Sequence, residues 1–298
     1  MFWLIACSAP VALPEPTWPD SGCRSTHAPA LDAVRVSSGE RTLSAPDGTV
    51  LAAALAAPLA QGCWPGLLLV PPGFDPGLQD TDQDTMAELA AAGVVVLAFD
   101  PRGRGASAGG EDHGGPTQQD DVASLLAWLA ALDEVDPDRV YLRTRSLGIA
   151  LAAGAVDRHP VLAPAGLLDI EGPGTLPDDL VHASAHTQER WDEVAGDEDW
   201  WLDRSPSEHL GAFRGAYRRV QAREDHALGA YRGHALTLLN VAEGASSRAD
   251  LNGVALAEHR AVEEPPEWSP DDVEALSLGG TVQRDDARAL ELLVEMMR

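Results

Sequence analysis

Short runs of uninterrupted apolar residues, set between stretches whose apolar positions recur at helical spacing, constrain this chain more than any other feature. The run at 66–70 ends in Pro71-Pro72-Gly73-Phe74, and the run at 94–99 ends in Asp100-Pro101-Arg102-Gly103-Arg104-Gly105-Ala106-Ser107. A strand with one wet face alternates apolar and polar residues, so runs without alternation must be covered on both faces. The intervening segments supply the cover. The stretch 86–92 reads as a helix closed by Gly93, and Val122, Leu125, Leu126, Leu129 and Leu132 fall on one face of a helix starting near Thr117. Asp136-Pro137-Asp138 ends that helix, a strand follows at 139–142, a small-residue helix at 147–156 and another strand at 165–170. This order predicts an α/β fold with a mostly parallel central sheet flanked by helices.

At either end the pattern is looser. Two strand-like runs flank the turn Pro46-Asp47-Gly48 within 34–58, as in a hairpin that opens the sheet. The acidic segment 175–211 has no strand period and carries Trp191, Trp200 and Trp201, so it is expected as a small helical cap inserted over the functional edge. Strand 216–222 and helix 231–241 resume the alternation, 273–278 is expected as the last strand, and 285–297 as a closing amphipathic helix. At 298 residues the chain suits one main domain, 34–298, behind a leader and tether at 1–33.

The leader reads Met-Phe-Trp-Leu-Ile-Ala-Cys, and Leu4-Ile5-Ala6-Cys7 resembles the lipobox of bacterial lipoproteins, in which the cysteine is lipidated. The Pro/Ser/Ala-rich residues behind it suit a flexible tether. The resemblance implies a cell-envelope or secreted protein attached to a membrane through Cys7; a cytoplasmic protein is the alternative. In an oxidising compartment Cys23 and Cys63 could pair, and in the cytosol they would stay free thiols. The 21 basic residues, all arginine, stand against 47 acidic ones, and a net charge of −26 excludes electrostatic binding of nucleic acid or an anionic membrane surface.

The chemistry centres on Ser146. Strand 140–142, then Arg143-Thr144-Arg145-Ser146-Leu147-Gly148, then an alanine-rich helix, is the context of a nucleophile elbow, which needs small residues around the serine because backbones pack closely there. Gly148 fits that need; Thr144, β-branched, does not. Ser146 could instead simply cap the helix. With residues 49–58, Pro71-Pro72-Gly73-Phe74, the Asp100–Gly105 run with Ser107, and Asp120-Asp121, the elbow completes a motif order that resembles the α/β-hydrolases, most nearly their dienelactone-hydrolase and prolyl-oligopeptidase-like branch, over about 34–160.

That resemblance implies an acyl-enzyme mechanism on a small or medium ester, without metal or organic cofactor; a peptidase, or a catalytically inactive binding or structural protein, is the alternative. It implies an oxyanion hole from the backbone N–H groups of Leu147 and Phe74, and an acid at Asp225, with Glu171 as a second candidate. The histidine should lie between the last strand and last helix, yet 279–283 contains none. If 253–257 is the last strand instead, His259 becomes the base; His226 and His234 are further candidates. His182, His186 and Glu189 have spacing that would place them on one helix face, as metal ligands can be, though no metal is expected.

Overall fold

A computed structural model describes residues 10–19, 22–24, 36–74, 76–78, 80–260, 267–282 and 287–298, so the lipobox-like Cys7 and most of the tether lie outside the described residues. The chain opens with β1 (Val11–Ala12), β2 (Val36–Ser44), β3 (Val50–Pro58) and β4 (Trp64–Val70), followed by α1 (Asp80–Ala91) and β5 (Val95–Phe99). Helix α2 (Pro116–Ala130) leads to β6 (Val135–Arg145), α3 (Gly148–Arg158) and β7 (Gly166–Ile170). Four short helices follow, α4 (Leu176–Leu180), α5 (Ala185–Asp192), α6 (Glu198–Leu202) and α7 (Pro206–His209). The chain then forms β8 (Ala216–Val220), α8 (Gly233–Ala245), β9 (Arg248–Leu251), β10 (Val254–Ala255), α9 (Leu256–His259), α10 (Pro270–Leu276) and α11 (Ala287–Met297).

The strands form one sheet in the order β1-β2-β3-β5-β4-β6-β7-β8-β9-β10. The block from β5 through β4, β6, β7 and β8 to β9 is parallel, while β2, β3 and β5 pair antiparallel. The apolar runs are explained by the two-residue period of a strand. Leu68, Val70, Val95, Leu97 and Phe99 enter one core with α2, α3 and α8, whereas Leu67, Leu69, Val94, Val96 and Ala98 enter a second core with α1 and α11. Each such leucine, fully removed from water, contributes about 1.5–3 kcal/mol.

Two sequence expectations are corrected. Residues 136–138 do not end the helix: α2 stops at Ala130 and β6 begins at Val135, and the register shift between Trp64 and Gly66 on β4 lets these turn residues bulge out before pairing resumes at Val140. Segment 273–278 is mainly helix α10, not the last strand. Pro270 sits at its first turn, Ser269 Oγ accepts from Asp272 N, and Asp272 Oδ2 accepts from Ser269 N at 2.8 Å, a capping box that sets a helix before the apolar residues can choose a strand. Only Leu278 joins the sheet, its N–H donating to Gln221 O and its carbonyl accepting from Arg223 N, each at 2.9 Å. The alternative last strand, 253–257, is likewise reduced to β10 before α9 begins.

No helix among the described residues is long and apolar enough to cross a membrane. Cys23 and Cys63 are joined as a disulfide with Cα atoms 5.5 Å apart, which ties the strand-bearing domain to residues ahead of β2.

Candidate active site

Ser146 stands where β6 passes directly into α3, and its backbone is left-handed, φ +50°. A non-glycine residue holds that conformation only where its surroundings dictate it. Here Ser146 N–H donates to Ile170 O at 2.9 Å, and the start of α3 is pressed against the end of β4. A Cβ on Gly148 would stand 2.8 Å from Val70 O and 2.9 Å from Pro71 O, which is why glycine follows the elbow. Thr144, fully buried, is accommodated by a polar partner. Its Oγ1 lies 3.2 Å from Asp169 Oδ1 on β7, so the side chain that conflicts with the small-residue rule is absorbed into a hydrogen-bond network.

That network runs under the site. Asp169 Oδ2 accepts from Arg219 Nη1 at 2.5 Å and from Tyr217 OH at 2.8 Å, and Arg219 also donates to Gly172 O and Gln221 Oε1. Gln221 Nε2 reaches Asp225 Oδ2 at 3.1 Å. Burial pushes the Tyr217 phenol well above its usual range, reinforced by the neighbouring Asp169 carboxylate. Buried charges of this kind are tolerated because every one has a partner.

The two residues expected to supply oxyanion N–H groups, Leu147 and Phe74, share one apolar cluster. Leu147 caps α3, and Phe74 follows Gly73, whose φ of +47° turns the chain after β4. Neither Leu147 N–H nor Phe74 N–H donates to another backbone group among the described residues. The loop carrying Phe74 is braced by the Asp100–Gly105 run. Asp100 Oδ1 accepts from Gly77 N and Leu78 N at 2.8 Å, Arg104 donates to Gly73 O, and Arg104 is itself held by both oxygens of Glu111. Arg102 makes a two-pronged bond to buried Asp121 at 2.6 and 2.7 Å. The motif therefore acts as a scaffold for the loop beside the elbow.

The structure groups the acid and base candidates differently from the sequence expectation of Asp225 with His259. Asp225 follows β8 and its Oδ1 accepts from Ala227 N and Leu228 N, each at 2.8 Å, while its Oδ2 faces His234 Nε2 at 3.1 Å. Burial opposes its ionisation, but the His234 bond, the two nearby imidazoles and the Ala227 N–H outweigh it and hold the carboxyl well below its usual range. His234 is fully buried, and burial pushes its imidazole below the usual value. His259 lies on α9, beyond β10 and four strand positions from β6, with Nε2 3.5 Å from Asp272 Oδ1 and Arg260 on the same carboxylate. The structure does not bring it to Ser146. The reason is the short β10, which turns the chain back along the sheet instead of delivering it to the functional edge.

Among the candidate histidines, His226 is the one held by Glu171, which lines the same cleft as Ser146. Its Nδ1 lies 2.8 Å from Glu171 Oε2, and the same oxygen accepts its backbone N–H at 3.2 Å. Glu171 follows β7, is buried, and has φ +50°; its other oxygen accepts from Ala222 N at 3.1 Å. Asp225 Oδ1 is the more distant carboxylate, 3.7 Å from the same Nδ1. Sequence reasoning gave Glu171 and His226 only secondary places. A charged residue closing an apolar strand, Leu167-Leu168-Asp169-Ile170-Glu171, and an Asp225-His226 pair after the next strand were the available signals.

A cleft of about 60 Å³ brings Ser146 and Glu171 to one surface, lined also by Leu147, Ala227 and Leu228 and walled by cap residues including Leu176, Leu180 and Trp191. Trp191 is buried and packs on Phe74, Trp200 and Trp201, so the three tryptophans build the cap's own core and Trp191 alone of them walls the cleft. Arg204 clamps the cap to the domain through Asp112 at 2.9 Å. The three-residue helix face expected of His182, His186 and Glu189 does not form: His182 precedes α5 and stacks on Tyr231 at 3.7 Å. Glu171, Asp225 and His226 bring ligand-type atoms within 4.8 Å of one another, but the carboxylate oxygens already accept the N–H groups named above and His226 Nδ1 faces Glu171.

Sheet order, left-handed serine and braced glycine loop are those of the α/β-hydrolase fold. Residues 47–165 match the family model described as X-Pro dipeptidyl-peptidase (S15 family). An uncharacterized protein of Mycobacterium tuberculosis is 39% identical over 84 residues, a match covering 26% of this chain and 29% of that relative's length. Among solved structures, acetyl xylan esterase 1 from Thermoanaerobacterium sp. JW/SL YS485 superposes with a TM-score of 0.61 at 14% identity, covering 88% of each chain. Puromycin hydrolase gives a TM-score of 0.63 at 17% identity, covering 89% of this chain and 38% of that one.

Proposed function

We propose that the protein is a serine hydrolase that works through an acyl-enzyme on esters of short acyl groups. The observation that carries this reading is the cleft shared by left-handed Ser146 and by Glu171, whose carboxylate holds His226 through Nδ1 and leaves Nε2 without a hydrogen bond among the described residues. Ser146 Oγ attacks the carbonyl carbon while its proton passes to His226 Nε2; that proton then leaves with the alcohol, and water repeats the sequence to release the acid. Glu171 orients the imidazole and stabilises its cation, and the N–H groups of Leu147 and Phe74 receive the oxyanion. In this reading Asp225 acts through its loop, and His259 has no part.

The small cleft walled by Leu176, Leu180 and Trp191 favours a short acyl chain. A peptidase is the second reading, favoured by the family model matched at 47–165. Export to an oxidising compartment is part of the proposal, supported by the Cys23–Cys63 disulfide and the lipobox-like Cys7. A fluorophosphonate probe tests the chemistry. Labelling of the folded wild type, lost in Ser146→Ala and in His226→Ala but kept in His259→Ala, is the expected result. No labelling of folded wild type would instead identify an inactive, hydrolase-shaped binding protein.

A further inference from the structure

Among 21 basic residues, all arginine, those that the structure describes are mostly neutralised by carboxylates. Arg190 is different. It lies on α5 of the cap, is exposed, and among the described residues makes no hydrogen bond or ion pair; its guanidinium instead lies over the ring of Phe74, 4.5 Å from the centroid. Phe74 is the residue whose backbone N–H faces the elbow in the proposed reaction. A second arginine, Arg104, lies 5.9 Å from the same ring, but both oxygens of Glu111 occupy it.

The cleft itself carries two carboxyl side chains. Glu171 and Asp179 both line it, beyond Trp191, which packs on Phe74 at 5.0 Å between centroids. In a chain of net charge −26, an unpaired cation held by a ring contact beside the cleft's Trp191 wall is the local exception to the field. Stacking on the aromatic face fixes the plane of the guanidinium while leaving its edge N–H groups for a planar anion.

We propose that Arg190 is a specificity-determining residue that binds a carboxylate on the leaving-group portion of the substrate, so that the preferred substrates are esters of short acyl groups whose alcohol part is anionic. This rests on the serine-hydrolase reading for the reaction, and on Arg190 itself for the recognition. The acyl group enters the apolar, acid-lined cleft, and the departing alcohol projects past Phe74 towards the guanidinium.

Two probes share an acyl group and differ in one carboxylate: 4-nitrophenyl acetate and 3-carboxy-4-nitrophenyl acetate. In Arg190→Ala the ratio of kcat/KM for the carboxylated over the neutral ester is expected to fall at least tenfold, mainly through KM. Arg190→Glu should lower it further, and Arg190→Lys should restore part of it. Equal responses of the two esters would overturn the proposal. Binding of the released phenol, 5-hydroxy-2-nitrobenzoate, is measured by calorimetry on Ser146→Ala with and without Arg190→Ala. Binding that depends on Arg190 when neither ester is turned over would sink the serine mechanism and leave the anion site standing. Binding unaffected by Arg190→Ala, with turnover intact, would sink the anion site alone.

Discussion

Glu171→Gln is the perturbation that most directly separates the two carboxylates at this edge. Glu171 accepts three N–H groups, two on Oε2 from His226 and one on Oε1 from Ala222. A glutamine of the same shape has one oxygen, so its amide nitrogen must face either His226 or Ala222 as donor against donor. Turning the oxygen towards His226 keeps the ring in place and sacrifices the Ala222 bond, at a cost to stability of about 1–3 kcal/mol for the unsatisfied buried group. The larger effect is on the reaction, because the neutral amide no longer stabilises the imidazolium that forms as Ser146 attacks. Loss of that interaction in a comparable triad costs up to about 10⁴ in kcat. His226 is partly exposed, and Asp225 stays 3.7 Å from its Nδ1 to offer a residual charge. We therefore expect a fall nearer about 10³-fold, about 4 kcal/mol in the barrier. Initial rates on 4-nitrophenyl acetate give the number, with circular dichroism and thermal melts confirming the fold. A Glu171→Gln enzyme within threefold of wild type, beside an Asp225→Asn enzyme that is dead and folded, would refute the assignment and return the orienting role to Asp225.

Two further outcomes follow from the same geometry. Asp225 is held ionised below its unfolded pKa, so its stabilisation is complete above about pH 4, the unfolded range, and is lost as pH falls further towards its depressed native value. Wild type should accordingly lose more melting temperature between pH 5 and 3 than Asp225→Asn does; parallel curves would remove the carboxylate from the account. The Cys23–Cys63 bridge closes a loop with a sequence separation of 40 residues, for which the chain-entropy relation gives about 4 kcal/mol. Cys63→Ser should lower the unfolding free energy by up to that amount with an unchanged labelling rate at Ser146, and an unfolding free energy indifferent to reductant would show that the bridge contributes nothing.

The layered sheet and its helices were legible because they rest on local periodicity. Runs such as Leu67–Val70 and Val94–Phe99 state that both faces are covered, and the residues on the two faces separate into the two cores by the strand period alone. The elbow was legible for the same reason, since the strand, turn and helix around Ser146 are contiguous. Segment 273–278 was misread because its apolar residues fit either period, and the Ser269–Asp272 capping box decided for helix.

The acid and the base at the edge are another kind of question. Glu171 and His226 are 55 positions apart and meet only because β7 and β8 are adjacent and both end at the same edge. Thr144 looked like a defect until Asp169 stood beside it on the neighbouring strand. What the amino-acid order determined by itself was the layered architecture and the place of the serine, because burial period and turn chemistry act over neighbouring residues. Which carboxylate holds which imidazole was decided by strand order and by a short β10 that carries His259 away, since hydrogen bonds between distant residues exist only once the sheet has put them within 3 Å.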